Sequence, residues 1–555
     1  MRFYVISVFV PFALLLTGSR TQADERPNIV LIMADDMGFS DIGCYGGEIA
    51  TPHLDKLAGN GLRFAQFYNG ARCCPTRAAL LTGLYAHQAG MGGMEPDWGV
   101  PGYRGNINRK CVTLAEVLKL GGYSTYMVGK WHLTNRTRAK TIEEKFNWPR
   151  QRGFDRFYGT IAGAGNFFNP ATLTRGNQFI QKEASGNKNY YYTDAISRNA
   201  CTFIDDHLKK NRKDNPFFLY VAYTAPHWPM HAPKELIKKY RGKYRVGWDV
   251  IRKQRFARQQ KMGLATKSWK LTQRTGFIPS WNELAERGIP KELQRVPNLK
   301  SADDVREMMD RRMAVYAAMV ERMDQGIGRI IETLRKGKKL DNTLILFLSD
   351  NGGCAEYAVC GFTRGQNLSI EAVGGILSFV SYGGGWANAS NTPFRWFKHD
   401  TYEGGVATPL IVHWPAGIPE KSNGAFRRQV GHIIDIMPTL VEVAKAKYPK
   451  TYSGQTITPM EGVSLVPAFG DEELRRKDNL YWEHHGNRAA FDGRWKLVAR
   501  GEKAKWELYD LKADRCETTN VVAEHKEIVR RLDQAWWKWA KRANVLPMNP
   551  NRKRK

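Results

Sequence analysis

The sequence predicts an α/β protein. A large, mostly parallel mixed sheet is sandwiched by helices, and a small C-terminal α+β unit follows with an antiparallel sheet and one packed helix. Three observations predict it. The runs Asn28–Ala34, Asn215–Ala222 and Thr343–Leu348 are short and nearly continuously apolar, as strands buried on both faces are. Amphipathic helical segments separate them, supplying the crossovers that parallel strands need. After about residue 455 the pattern changes to short strand-like pieces joined by turns.

The 555 residues allow one large domain and a smaller one. Hydrophobic residues make up 42% and charged residues 25%, so the chain is globular rather than disordered. The net charge of +30 points to an anionic partner. No nucleic-acid-binding signature or zinc-finger spacing accompanies it, which leaves a membrane surface or an acidic polymer ahead of nucleic acid. Arg2, the apolar stretch Tyr4 to Leu16 and the small-residue site Thr21-Gln22-Ala23 read as a signal peptide over residues 1–23. Export to the periplasm or outside the cell is therefore expected, with Asp24 near the mature start; an uncleaved anchor is the alternative. No later stretch reads as a membrane span, so no stable membrane insertion is expected. Of the eight cysteines, Cys354 and Cys360 are close enough in sequence to pair, but spacing does not fix connectivity.

In chain order, the first strand ends in Asp35-Asp36-Met37-Gly38, and ligands of open α/β sheets sit at the carboxyl ends of strands. Two adjacent carboxylates there call for a cation. Thr51 to Ala58 reads as a helix, and a strand from Gly61 leads into Cys73-Cys74-Pro75-Thr76-Arg77. The apolar run after it, to Gly83, reads as a helix with Cys73 near its N-terminus, where backbone N–H groups and the dipole suit an anion. His87 reads as structural. Thr113 to Leu120 is a helix stopped by Gly121-Gly122. The strand Tyr123 to Val128 ends in Gly129-Lys130-Trp131-His132, where Lys130 and His132 point along one face.

The strand 215–222 ends in Tyr223-Thr224-Ala225-Pro226-His227-Trp228, with His231 further into the loop. Lys234 to Arg274 is heavily basic with Tyr244, Trp248 and Trp269 interleaved; it reads either as an insertion over the cleft that holds an anionic polymer or as a solvated helical face. Met309, Met313, Tyr316, Val320 and Met323 give Asp303 to Leu334 the stripe of a long core helix. Thr343–Leu348 runs into Ser349-Asp350-Asn351. Asp35, Asp36, Asp350 and Asn351 then make an all-oxygen set suited to a hard cation, Ca²⁺ or Mg²⁺. Gly374 to Gly385 reads as a loop near the mouth. Asn391 to Asp400 contains Arg395, Lys398 and His399; Leu410–Val412 is a strand, and His432 to Val443 a helix closing the large domain. Strands are expected over 479–484, 487–499 and 505–511, a helix with three tryptophans over Lys526–Ala543, and a disordered basic tail at 551–555.

The Cys73-Cys74-Pro75-Thr76-Arg77 stretch resembles the Cys-x-Pro-x-Arg signature of type I sulfatases, and Gly129-Lys130-Trp131-His132 resembles their second signature. The resemblance runs from Asn28 to about Leu511 in family order and is nearest to bacterial arylsulfatases of the alkaline phosphatase-like superfamily. Cys74, often Ser in the family, and Thr76 are mild departures. The resemblance implies that a formylglycine-generating enzyme oxidises Cys73 to formylglycine, whose gem-diol attacks the sulfur of a sulfate monoester. It implies one Ca²⁺ held by Asp35, Asp36, Asp350 and Asn351, with residue 73 completing the shell. Arg77 and Lys130 would bind the diol and sulfate oxygens and Lys398 would bridge the sulfate and the leaving oxygen, with Asp350 accepting the diol proton. His227 would protonate the leaving alcohol and His132 would act as base in sulfate release. It further implies a catalytic domain over 24–455 and a small C-terminal domain over 456–555. The expected substrate is an aryl sulfate or a sulfated polysaccharide. The alternatives are a phosphonate or phosphate ester hydrolase on the same fold, and an inactive sulfated-glycan binder.

Overall fold

The structure, a computed structural model, describes residues 26–209, 215–286, 288–356 and 358–548. The proposed leader and basic tail lie outside the described residues. The main sheet has 11 strands. At its centre Asn28–Ala34 lies between Thr343–Ser349 and Phe217–Ala222, parallel to both. Ser124–Lys130 and Arg156–Thr160 extend the parallel array beyond Phe217–Ala222. On the other side Ala407–His413 runs antiparallel between Thr343–Ser349 and Leu62–Tyr68. The three central runs and Ser124–Lys130 are buried at every residue, as helices on both faces demand.

The topology gathers chemistry at one edge. Ala34 pairs with Ser349 and Gly129 with Ala222, so the parallel strands end at nearly the same level. Asp35, Asp36, Lys130, His132, His227, Asp350 and Asn351 follow or end these strands. Leu62–Tyr68 ends at the same edge and leads to the helix Cys73–Thr82. The antiparallel Ala407–His413 starts there, so the segment before it delivers Lys398.

The long helix spans Ala302–Lys336, one residue outside the expected start, and its methionine stripe is buried. Ser301 caps it with Asp304 in a reciprocal box. Three expectations need correction. The glycine-rich 374–385 is not simply a loop: it contains the strand Ser378–Val380 and opens the buried helix Gly383–Ser390. The glycines are there because of packing, since a Cβ on Gly385 would lie 2.6 Å from the Trp248 ring. The aromatics of the 234–274 stretch do not lie on an exposed face. Tyr244, Trp248 and Trp269 are buried, and Arg255 is fully buried in ion pairs with Asp41 (2.6 Å) and Glu48 (2.7 Å). All eight cysteines are unbridged, Cys354 and Cys360 included.

The C-terminal unit is a four-stranded antiparallel sheet, Leu480–His484, Asn487–Phe491, Trp495–Ala499 and Glu507–Asp510. The expected single strand over 487–499 is thus two, divided at Asp492–Arg494. The helix Lys526–Arg542 packs on the sheet through Trp536 and Trp539, with Trp537 turned outward. This unit buttresses the large sheet: Trp482 Nε1 donates to the Asn69 carbonyl (2.7 Å), and Tyr68 packs edge-on against Trp482 and Phe491. Lys496 pairs with Glu403 at 2.7 Å and Arg500 with Asp400 at 2.7 Å, bracing the segment that carries Lys398. Among the described residues no helix is long and apolar enough to cross a membrane.

Candidate active site

All ten residues singled out by sequence as catalytic or metal-binding are buried, and the contacts below link them at one edge of the sheet. Asp36 follows the first strand in a left-handed conformation (φ 64°), held by its amide donating to Asp350 Oδ1 (3.2 Å) and by Met37 N donating to Ser349 Oγ (3.1 Å). Ala71 (φ 63°), His132 (φ 59°) and His399 (φ 83°) share that costly conformation around the site, and such strain persists only where the surroundings enforce it.

The four oxygen-bearing residues lie together. Arg77 Nε and Nη2 donate to Asp350 Oδ2 at 3.1 and 2.8 Å, and Nη2 stands 3.6 Å from Asp35 Oδ2. Lys130 Nζ donates to Asp35 Oδ2 at 2.6 Å. Asn351 Nδ2 donates to Asp36 Oδ1 at 2.7 Å, and Lys398 Nζ pairs with the same oxygen at 2.8 Å. Three buried cations thus converge on three buried carboxylates. Asp35 Oδ1 and Asn351 Oδ1 are left buried without a hydrogen-bond partner. Two orphaned oxygens in an all-oxygen donor set are what a hard cation would satisfy, so the residues fit Ca²⁺ or Mg²⁺ rather than a metal that prefers nitrogen or sulfur.

Electrostatics agree. Burial pushes Asp36 up, but His227 and Lys398 win and hold it at about 2. Burial and the neighbouring Asp35 lift Asp350 to about 8 despite Arg77, the mark of two carboxylates with too little positive charge between them. Burial opposes the charge on Lys130 and Lys398, yet Asp35 and Cys73 raise the first, and Asp36 the second, above the usual lysine range.

Cys73 is the first residue of its helix, after the N-cap Arg72. A hydrogen bond from Cys74 draws its thiol down; burial opposes this, and Lys130 and His132 reinforce it. His132 comes within 4.8 Å of both thiols. Its Nε2 contacts Glu95 Oε1 at 2.6 Å. Burial and Lys130 disfavour its charge, but Cys73 and Glu95 override them and raise its pKa. On the other side His227 Nε2 lies 3.4 Å from both Asp36 Oδ2 and Lys398 Nζ. Burial lowers His227 to about 4, against the pull of Asp36.

Two histidines have structural places: His87 contacts Glu483 at 2.8 Å, and His231 lies between the Phe167 amide and the Ser378 carbonyl. Arg395 turns to Glu507 (3.0 Å) of the C-terminal unit. Sequence reasoning missed Glu95 and Glu356. Glu356 Oε1 accepts from Trp228 Nε1 (2.8 Å) and Cys354 Sγ (2.9 Å) beside His227. Neither sits at a strand end or in a recurring pattern, so no local signal marks them.

Residues 27–446 match the sulfatase family model, and residues 393–542 match the model of the N-sulphoglucosamine sulphohydrolase C-terminal region. An uncharacterized sulfatase of Schizosaccharomyces pombe is 34% identical, covering 92% of this chain and 93% of its own. The arylsulfatase of Klebsiella aerogenes is 34% identical, covering 81% of this chain and 94% of its own. The N-acetylgalactosamine-6-O-sulfatase of Bacteroides thetaiotaomicron is 27% identical over 95% and 96%. Among solved structures, Ps i-CgsB in complex with k-i-k-neocarrahexaose superposes with a TM-score of 0.64 at 25% identity, covering 94% of this chain and 98% of that one.

Proposed function

The chain belongs to the sulfatase family and is a sulfuric ester hydrolase, and from that premise we propose that it desulfates sulfated carbohydrates through residue 73 and a bound Ca²⁺. The observation that carries this reading is the convergence of Arg77, Lys130 and Lys398 on the carboxylates beside Cys73. Relatives named N-acetylgalactosamine-6-O-sulfatase and N-acetylglucosamine-6-O-sulfatase, and a neighbour solved with k-i-k-neocarrahexaose, support a carbohydrate over a small aryl sulfate.

When present, formylglycine at position 73 would supply a diol nucleophile for sulfur, and Ca²⁺ on Asp35, Asp36, Asp350 and Asn351 would supply Lewis acidity toward the sulfate oxygens. The chain's own residues do the rest. Lys130, Arg77 and Lys398 offer fixed positive charge where negative charge collects on the transferring group, at no reorganisation cost inside a dry site. Asp350, close enough to residue 73 to feel its charge, is the acceptor for the proton that residue 73 gives up. His227 and Lys398, 3.4 Å apart, are placed to pass a proton to the departing sugar oxygen. His132, oriented by Glu95, faces residue 73 from the opposite side and serves as the base that releases sulfate.

In this reading residues 1–23 direct export, to the periplasm or beyond, and a formylglycine-generating enzyme matures the protein. Residues 24–455 form the catalytic domain and 456–555 the smaller one. The test is release of inorganic sulfate from 4-nitrophenyl sulfate and from sulfated oligosaccharides, beside a phosphonate monoester. Sulfate release lost on Cys73→Ala and on chelation is expected. Phosphonate cleavage faster than sulfate cleavage would overturn the assignment of substrate.

A further inference from the structure

Beyond the sulfate-binding set, one cluster of polar side chains is unexplained: Arg72, His399, His484 and His485. Arg72 precedes Cys73 and His399 follows Lys398, so each stands one residue from the reaction centre. The His399 amide donates to the Ala71 carbonyl (2.9 Å), fixing the two segments side by side, and Arg72 Nη1 lies against His399 Nδ1. His484 ends the strand Leu480–His484 of the C-terminal unit, and His485 begins the turn after it. Asn487 Nδ2 ties that turn to the His399 carbonyl at 2.9 Å. The His399 and His484 rings are 5.6 Å apart. Arg72 and His485 are partly exposed, so the cluster opens toward solvent, while His399 and His484 are buried.

Two features mark the cluster as built for a ligand. Among the described residues Arg72 is in no ion pair, and its Nε is buried without a hydrogen-bond partner. His484 is fully buried (0% exposed), and among the described residues its ring reaches only the Gly92 backbone, which leaves the other ring nitrogen without a partner. A guanidinium with no counter-ion and an imidazole with one nitrogen unsatisfied are both costly away from water. The three imidazoles each bring a nitrogen within 4.8 Å of the others, a spacing that also suits a metal. Two facts argue against a metal. The His484 and His485 rings stack at 4.1 Å and 19°, so their in-plane lone pairs run nearly parallel rather than converge. A guanidinium already occupies the cluster and would repel a cation. An anion meets neither objection, because Arg72 and the imidazole N–H groups are all donors.

We infer that Arg72, His399, His484 and His485 form a second oxyanion subsite beside the sulfate pocket, taking a further acidic group, a second sulfate ester or a uronate carboxylate, on the sugar being desulfated. This rests on the reading that the substrate is a sulfated carbohydrate.

The test uses the full-length Cys73→Ala chain with Ca²⁺, which binds without turnover, in calorimetric titrations. The ligands are a monosulfated disaccharide, its disulfated counterpart, and a monosulfated disaccharide bearing a uronate. One doubly anionic ligand is expected to bind about tenfold or more tighter than the monosulfated one, the scale of one charge-assisted hydrogen bond. Whichever ligand gains identifies the acidic group. The gain is expected to disappear in Arg72→Gln and, independently, in His485→Gln. Equal affinity for all three ligands overturns the subsite, as does a gain that survives both substitutions. Binding of none of them overturns the carbohydrate reading instead. Stoichiometric Zn²⁺ uptake that His485→Gln abolishes would overturn the subsite in favour of a metal centre.

Discussion

Replacing Arg77 by Ala tests whether the quartet of three carboxylates and one amide is built for a cation. Arg77 is fully buried and gives Asp350 two charged hydrogen bonds, at 3.1 and 2.8 Å, with Asp35 a further 3.6 Å from its Nη2. Deleting one partner of a buried pair ordinarily costs about 3–5 kcal/mol, because the other charge is stranded. Here the cost depends on pH. In the metal-free chain Asp350 is lifted to about 8 by burial and Asp35, so below that pH it holds a proton and no charge is stranded. Losing Arg77 then removes ordinary hydrogen bonds, about 1–2 kcal/mol. Above about pH 8 wild-type Asp350 is ionised against Arg77 while the variant's Asp350 keeps its proton, so the penalty grows by about 1.4 kcal/mol per pH unit. Ca²⁺ replaces the missing positive charge, so it should stabilise Arg77→Ala more than wild type; a thousandfold excess over Kd contributes about 4 kcal/mol. The assay is denaturant unfolding of both proteins on either side of pH 8, with chelator and with Ca²⁺. A loss that is the same at both pH values and unmoved by Ca²⁺ would refute the reasoning and make Arg77 a packing residue.

Glu95→Gln should lower the raised pKa of His132, moving the acid limb of kcat to lower pH; a pH–rate profile with an unmoved limb separates Glu95 from His132. His227→Ala should cost far more on a sugar sulfate, whose alkoxide leaves poorly, than on 4-nitrophenyl sulfate, whose leaving group needs no proton. Equal losses on the two substrates would remove His227 from leaving-group protonation. Asp324 accepts from the His53 and Leu54 amides at the start of the helix Pro52–Gly59, and burial lifts it from 3.8 to about 7. An acid whose pKa is raised on folding loses stability as pH climbs from the unfolded to the folded value, here from about 4 to about 7. Asp324→Asn should flatten that decline in unfolding free energy measured across the window.

The legibility of the site follows from where its residues stand. Asp35, Asp36, Asp350, Asn351, Lys130 and His132 follow or end buried parallel strands, and a strand end announces itself as an apolar run meeting polar residues. Glu95 carries no such mark, because its loop reaches His132 only once the sheet has formed. The same is true of His484 and His485, which arrive from a strand end more than four hundred positions beyond Arg72. Arg255 shows the converse error. In sequence it belongs to a basic run opposed only by Glu235 and Asp249, whereas in the fold Asp41 and Glu48, more than two hundred residues earlier, neutralise it. Gly385 reads as part of a loop since the ring that needs the space, Trp248, lies elsewhere in the chain.

The most direct test of the central claim is the chemical state of residue 73. Mass spectrometry of the peptide spanning Cys73, from protein produced together with a formylglycine-generating enzyme, should find an aldehyde in place of the thiol. Sulfate ester hydrolysis should rise in proportion to the aldehyde fraction. Full activity in protein whose residue 73 is entirely thiol, or in Cys73→Ala, would contradict the account.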